Sequence, residues 1–171
     1  MGTVRHNSIA LCIKQFALNA GCNARHEPAN LDENDRKRPD LELFTLPDPT
    51  LVDVVVSNSV APTHLDSAKK NPLAAADKAT KFKHKKYKAM TEYQRSKFHA
   101  FACEALGGIS PDAMRVVNIL TAVTITNCPW LPRSEVMDDI LNHIAINIQR
   151  GNAAMIREGE LKRRFATHTT I

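Results

Sequence analysis

The residues best suited to chemistry lie on what reads as a β-hairpin. Arg38-Pro39-Asp40 leads into the run Leu41–Leu46, Pro47-Asp48-Pro49-Thr50 supplies a turn, and Leu51–Val56 is apolar except at Asp53. A carboxylate inside an apolar strand is costly unless it has a partner. Two carboxylates on adjacent strands can share a divalent cation, and Mg²⁺ is commonly held by one or two protein carboxylates, with water and substrate phosphate filling the remaining positions. The competing reading is an acid at the start of one strand and a core aspartate bonded to backbone. Glu27, just before Pro28, places a third acid upstream.

A second group of candidates follows the hairpin. Leu73–Met90 is rich in Ala and Lys, lacks Gly and Pro, and carries lysines at 78, 81, 83, 85, 86 and 88 with His84 and Tyr87 among them. The pattern predicts a helix buried through Ala75, Ala79, Phe82 and Met90. Its lysines are either a solvated face or a surface that neutralises a nucleic-acid backbone, with one lysine turned toward the acids.

Those residues need elements to position them. Val4–Ala20 has Ile9, Ile13, Phe16 and Ala17 on one stripe, flanked by Ala10 and Ala20, and Gly21 stops it. His6, in its first turn, is a capping or surface histidine or an active-site group. Asn23–Glu27 is a short strand and 29–37 a polar loop. Ser57–Asn71 reads as a mobile polar connection with Pro62 and Pro72 as breakers. Phe98–Glu104 is β-compatible, and its place after a long helix fits a crossover. Ser110-Pro111 resembles an N-cap followed by proline at the first helical position; the helix to about Ile125 is buried through Met114, Val117, Leu120, Ala122 and Val123. Ser134–Gln149 is amphipathic through Val136, Ile140, Ile144 and Ile148. Asp138, Asp139 and His143 on it read as solvated surface rather than ligands. Arg150-Gly151-Asn152 interrupts this helix, and Ala153–Phe165 is a basic closing helix.

The 171 residues allow one domain with a sizeable core. A net charge of +5 leans mildly toward a polyanionic partner. The cysteines, at 12, 22, 103 and 128, form no C-x-x-C pair, which argues against structural zinc and favours a reducing compartment. There is no secretory pattern and no apolar run long enough for a membrane span. The expectation is an intracellular protein, nuclear or cytoplasmic.

The ordered set resembles the PD-(D/E)xK nuclease superfamily, and within it the restriction-like endonuclease domain of non-LTR retrotransposon reverse transcriptases. The matching residues are Arg5-His6-Asn7, Glu27-Pro28, Arg38-Pro39-Asp40, Asp53, Lys83-x-x-Lys86-Tyr87 and Phe101-x-x-Glu104 before Gly107-Gly108. The resemblance implies an α/β fold with an αβββαβ core, a mixed sheet flanked by helices, over 1–126, and a C-terminal helical extension over 127–171. It implies Asp40 and Asp53 as metal ligands for Mg²⁺ or Mn²⁺, with the Val54 carbonyl and Glu27 completing the shell. The superfamily's lysine normally stands two residues after the second acid, where this chain has Val55; retroelement members supply one from the following helix. Lys83 matches best, with Lys81 and Lys78 behind it. Arg38, Lys78, Lys85, Lys86, Lys88 and His6 would contact DNA. The parent element's reverse transcriptase and RNA template are the further partners implied. The implied activity is DNA nicking; the alternative is a catalytically inactive DNA-binding or interaction module of the same fold.

Overall fold

A computed structural model describes residues 3–31 and 38–167. Residues 32–37 of the expected polar loop lie outside the described residues. Helix α1 spans Thr3–Asn19, and Ile9, Ala10, Ile13 and Ala17 are fully buried. It ends in a Schellman cap: Gly21 takes φ +77°, Cys22 N–H donates to Ala17 O and Gly21 N–H to Leu18 O.

Three strands follow, β1 (Ala24–His26), β2 (Leu41–Leu43) and β3 (Thr50–Ser57), forming an antiparallel meander. The cross-strand pair of Arg25 and Glu42, with Nη2 to Oε2 at 2.5 Å, fixes the register of β1 on β2. A crossover through α2 (Pro62–Lys70) and α3 (Ala74–Gln94) leads to β4 (Lys97–Glu104), which lies parallel to β3. The sheet order is β1-β2-β3-β4, mixed, with β4 at an edge. α4 (Pro111–Asn127) and α5 (Arg133–Thr167) complete the chain.

The sheet is covered on both faces, which is why β3 is almost uniformly apolar. On one face Leu41, Leu43, Val52, Val54, Phe101 and Cys103 meet α1, α4 and α5 in the main core. Val136, Ile140, Ile144 and Ile148 of α5 belong to that same core. On the other face Leu51, Phe98 and Ala100 pack with Tyr87 and Met90 of α3. This is an α/β fold with a four-stranded mixed sheet flanked by helices.

Several expectations are corrected. The segment expected as a mobile connection contains α2, where Pro62 stands in the first turn and supplies a helix-compatible φ rather than a break. Arg150-Gly151-Asn152 does not interrupt α5, which runs unbroken for 35 residues. Gly151 is there for contact: a Cβ on it would lie 2.6 Å from Arg5 Cβ and 3.0 Å from Arg5 Cα. Asn152 tightens the same junction, accepting from Arg5 Nη1 and donating to Ala105 O at 2.7 Å. On α3 the buried face runs through Ala75, Ala76, Tyr87 and Met90, while Phe82 is 66% exposed. On α4 Ser110 caps as expected, accepting from Ala113 N–H at 3.1 Å, but Ala113, Val116 and Thr121 are buried and Ala122 is exposed.

Candidate active site

The site begins where β2 stops. Leu41 pairs with Val52, so one further step of the antiparallel register sets Asp40 opposite Asp53. β3 continues past that point with its backbone edge uncovered, and Asp40 covers it: Val54 N–H donates to Asp40 Oδ2 at 2.5 Å. A strand residue's N–H and C=O point to the same side, so the Val54 carbonyl lies along this edge too. Asp40 Oδ1 meets His6 Nε2 of α1 at 3.0 Å. Glu27 is exposed, and its backbone N–H donates to Asp40 O at 2.8 Å, which anchors β1 to the same corner.

Asp53 points toward α3 and is only 3% exposed. Its Oδ1 accepts from Tyr87 O–H at 2.6 Å, and its Oδ2 is ion-paired with Lys83. That Oδ2 is buried and receives no well-directed hydrogen bond, so the Lys83 ammonium is its counter-charge. Tyr87 O–H also lies 2.6 Å from Arg38 O; a phenol has one proton, so the two acceptors compete for it. Lys86 Nζ donates to the Tyr87 oxygen at 2.8 Å. α3 thus ties the loop before β2 to the middle of β3.

The electrostatics follow. The hydrogen bond to Asp40 raises the pKa of His6; burial opposes this, and the charges of Asp40 and Asp53 add to it. Burial pushes the Tyr87 hydroxyl up strongly, and the bond to Asp53 and the charges of Asp53 and Asp40 push it further, so it stays a donor.

The lysines divide by face. At about 100° per residue, Lys83 shares the inward side with Ala76, Tyr87 and Met90. Lys78, Lys81, Lys85 and Lys88 are exposed on the other side of the helix, and Lys86 stands at the border. Lys83 therefore reaches the acids and Lys81 does not. Residue 55 explains the arrangement: side chains two apart on a strand share a face, so Val55 lies on the same side as Asp53, and α3 brings Lys83 to that side instead. Arg38 is exposed next to the acids.

For a metal, the side chains in reach are Asp40 and Asp53. Among the described residues no group of three or more His, Cys, Asp or Glu could hold an ion. Two hard carboxylates, with a buried oxygen lacking a directed donor and a strand carbonyl alongside, fit a cation of the Mg²⁺ type, which keeps several waters. They do not fit an ion that needs a full protein shell.

A second polar cluster holds α3 in place, and nothing in the sequence joined its members to one another. Asp112, in the first turn of α4, is 3% exposed. It accepts from His84 Nε2 at 2.6 Å, His99 Nδ1 at 2.9 Å, Ala100 N–H at 2.8 Å and Arg115 Nη1 at 3.0 Å. β4 is an edge strand, and this carboxylate satisfies an outward N–H there. Burial alone would raise its pKa, but the bonds from His99, His84 and Ala100 hold it far below the usual carboxylate range. His84 adjoins Lys83 in sequence, so the cluster also sets where Lys83 stands. His143 pairs with Asp139 on the solvent side of α5, as a solvated pair.

No protein-family model matches this chain, and no curated protein matches it. Among the described residues no helix is long and apolar enough to cross a membrane.

Proposed function

We propose that this chain is a metal-dependent DNA endonuclease domain of the PD-(D/E)xK type, hydrolysing phosphodiester bonds as the target-nicking domain of a retroelement does. The observation that carries the reading is the meeting of Lys83, from a crossover helix, with Asp53 on the strand beside Asp40. A buried core aspartate needs only backbone donors; this one meets a lysine ammonium and a tyrosine hydroxyl, and Asp40 directly follows the end of the β2–β3 ladder.

In hydrolysis a water oxygen bonds to phosphorus, the bond to the leaving sugar oxygen breaks, and a proton ends on that oxygen. A divalent cation bound by Asp40 and Asp53 would supply Lewis acidity and make its bound water more acidic. The chain's own residues do the rest. Lys83 places positive charge beside Asp53, where it can orient a water and offset charge developing on phosphate. Tyr87 holds Asp53 in one rotamer, and Val54 N–H and His6 hold Asp40. Arg38 and Lys86 stand next to the acids as phosphate contacts, which position DNA without reading its sequence.

One observation favours the second reading, an inactive nuclease-fold module that binds DNA or a protein partner. All four carboxylate oxygens of the two acids are already engaged by groups of the chain. Nicking of supercoiled plasmid separates the two. Nicking with Mg²⁺ or Mn²⁺ that EDTA stops, and that is lost in Asp40→Ala, Asp53→Ala and Lys83→Met, is the expected result. DNA binding without cleavage in any metal would leave the binding module.

A further inference from the structure

α3 has a second surface that the acid site does not use. Lys78, Lys81, Lys85 and Lys88 fall within about 80° of one another around the helix axis, on the side away from Asp53. All four are exposed, and among the described residues none of them makes an ion pair. Phe82 and Tyr93 form a second column next to this one, 66% and 69% exposed. They lie three turns apart, within about 20° of each other and about 16 Å along the axis. The acids of α3 are Asp77 at its start and Glu92, which closes the lysine column at its C-terminal end.

A lone exposed ring needs no explanation. Two rings repeated on one face beside four unpaired lysines match a specific chemistry. Strands without a partner offer phosphates to a basic column and open base faces to aromatic side chains. A duplex offers the phosphates, but its bases are already stacked. An acidic peptide would use the lysines and leave the rings idle.

We propose that the outer face of α3 binds single-stranded nucleic acid, with Lys78, Lys81, Lys85 and Lys88 on its phosphates and Phe82 and Tyr93 stacking on its bases. The site stands apart from the Asp40–Asp53 pair and does not rest on the nuclease reading. It would let the chain hold a single strand while the other face of the helix keeps the acids.

The test is fluorescence anisotropy on the full chain with labelled oligo-dT, oligo-U and a duplex of equal length, over a range of salt. Phe82→Ala and Tyr93→Ala should each weaken oligo-dT or oligo-U binding at least about fivefold, with duplex binding and the thermal melt unchanged. The double variant Lys81→Ala/Lys85→Ala should lower the salt slope for a single strand by about 1.4, from about 0.7 per phosphate contact. Preference for either oligo-dT or oligo-U supports the site. Phe82→Ala and Tyr93→Ala should nick supercoiled plasmid as the parent does while losing affinity for the oligonucleotides, so loss of nicking and loss of this site are read separately. Single-strand binding indifferent to both rings, or equal losses on the duplex, would overturn the proposal.

Discussion

The contact between Asp53 and Lys83 joins fold and chemistry, and a double-mutant cycle measures it. Their side chains are 4% and 19% exposed, so the pair is largely withdrawn from water. Breaking a buried pair by removing one partner typically costs about 3–5 kcal/mol, because the other charge is left uncompensated. The two halves are unequal here. Lys83→Met strands Asp53 with only the Tyr87 hydroxyl on Oδ1 and nothing directed at Oδ2; this variant should lose about 3 kcal/mol. Asp53→Asn leaves a lysine whose long stem can carry the ammonium to solvent, so the loss should be nearer about 1–2 kcal/mol. The double variant should be more stable than the sum of the two losses by about 0.5–3 kcal/mol, the range for residues in direct contact. Urea unfolding at neutral pH, with equal slopes required across the four proteins, gives the numbers. Two single losses below about 0.5 kcal/mol that simply add would be the values of independent surface sites. That result would refute the contact and, with it, the positioning argument for Lys83.

Two further variants test how α1 and α3 are held. Gly151→Ala would ordinarily gain about 1 kcal/mol of helix propensity, yet its Cβ would press on the Arg5 backbone and stem. A net loss of about 1–3 kcal/mol is expected, with a parallel loss of nicking if α1 withdraws His6 from Asp40; a stabilised variant would contradict the packing. Asp112→Ala removes the acceptor of four donors and should cost about 3–5 kcal/mol in a denaturant melt. The sign of its pH dependence is fixed by the lowered pKa of Asp112. An acid whose pKa is depressed by folding stabilises above its unfolded pKa, about 3.9, and that stability is lost as pH falls toward the folded value. The parent should therefore lose stability more steeply than Asp112→Asn below about pH 4, a difference that melts across that range would reveal.

Much of the frame was legible from short-range pattern alone. The α1 stripe, the Gly21 stop, the hairpin with Asp53 inside an apolar strand, and the Ser110 cap each follow from helical or strand period and local turn chemistry. The register was not legible: a turn at Pro47–Thr50 would set Asp53 opposite Phe44, whereas Leu43 pairs with Thr50 and Leu41 with Val52, which brings Asp40 next to Asp53 instead. The errors arose where a residue's local habit differs from its use. Pro62 reads as a breaker and serves as a helix start. Gly151 reads as a break and serves as the point where α1 touches α5.

What tertiary structure decided is which way each surface faces. Hydrophobicity ranks Phe82 above Lys83 for burial, yet Phe82 is in water and Lys83 is inside. The buried carboxylate of Asp53 demands a donor and a counter-charge, and rotating α3 to supply Tyr87 and Lys83 turns Phe82 outward. Likewise nothing in the sequence joins Asp112 to His84 and His99; they meet because β4 is an edge strand with an open N–H and three elements converge on it. The sequence by itself determined which residues could do chemistry and on which elements they ride. Only packing against the sheet decided which lysine reaches the acids, because a helix pattern fixes what shares a face and not what that face meets.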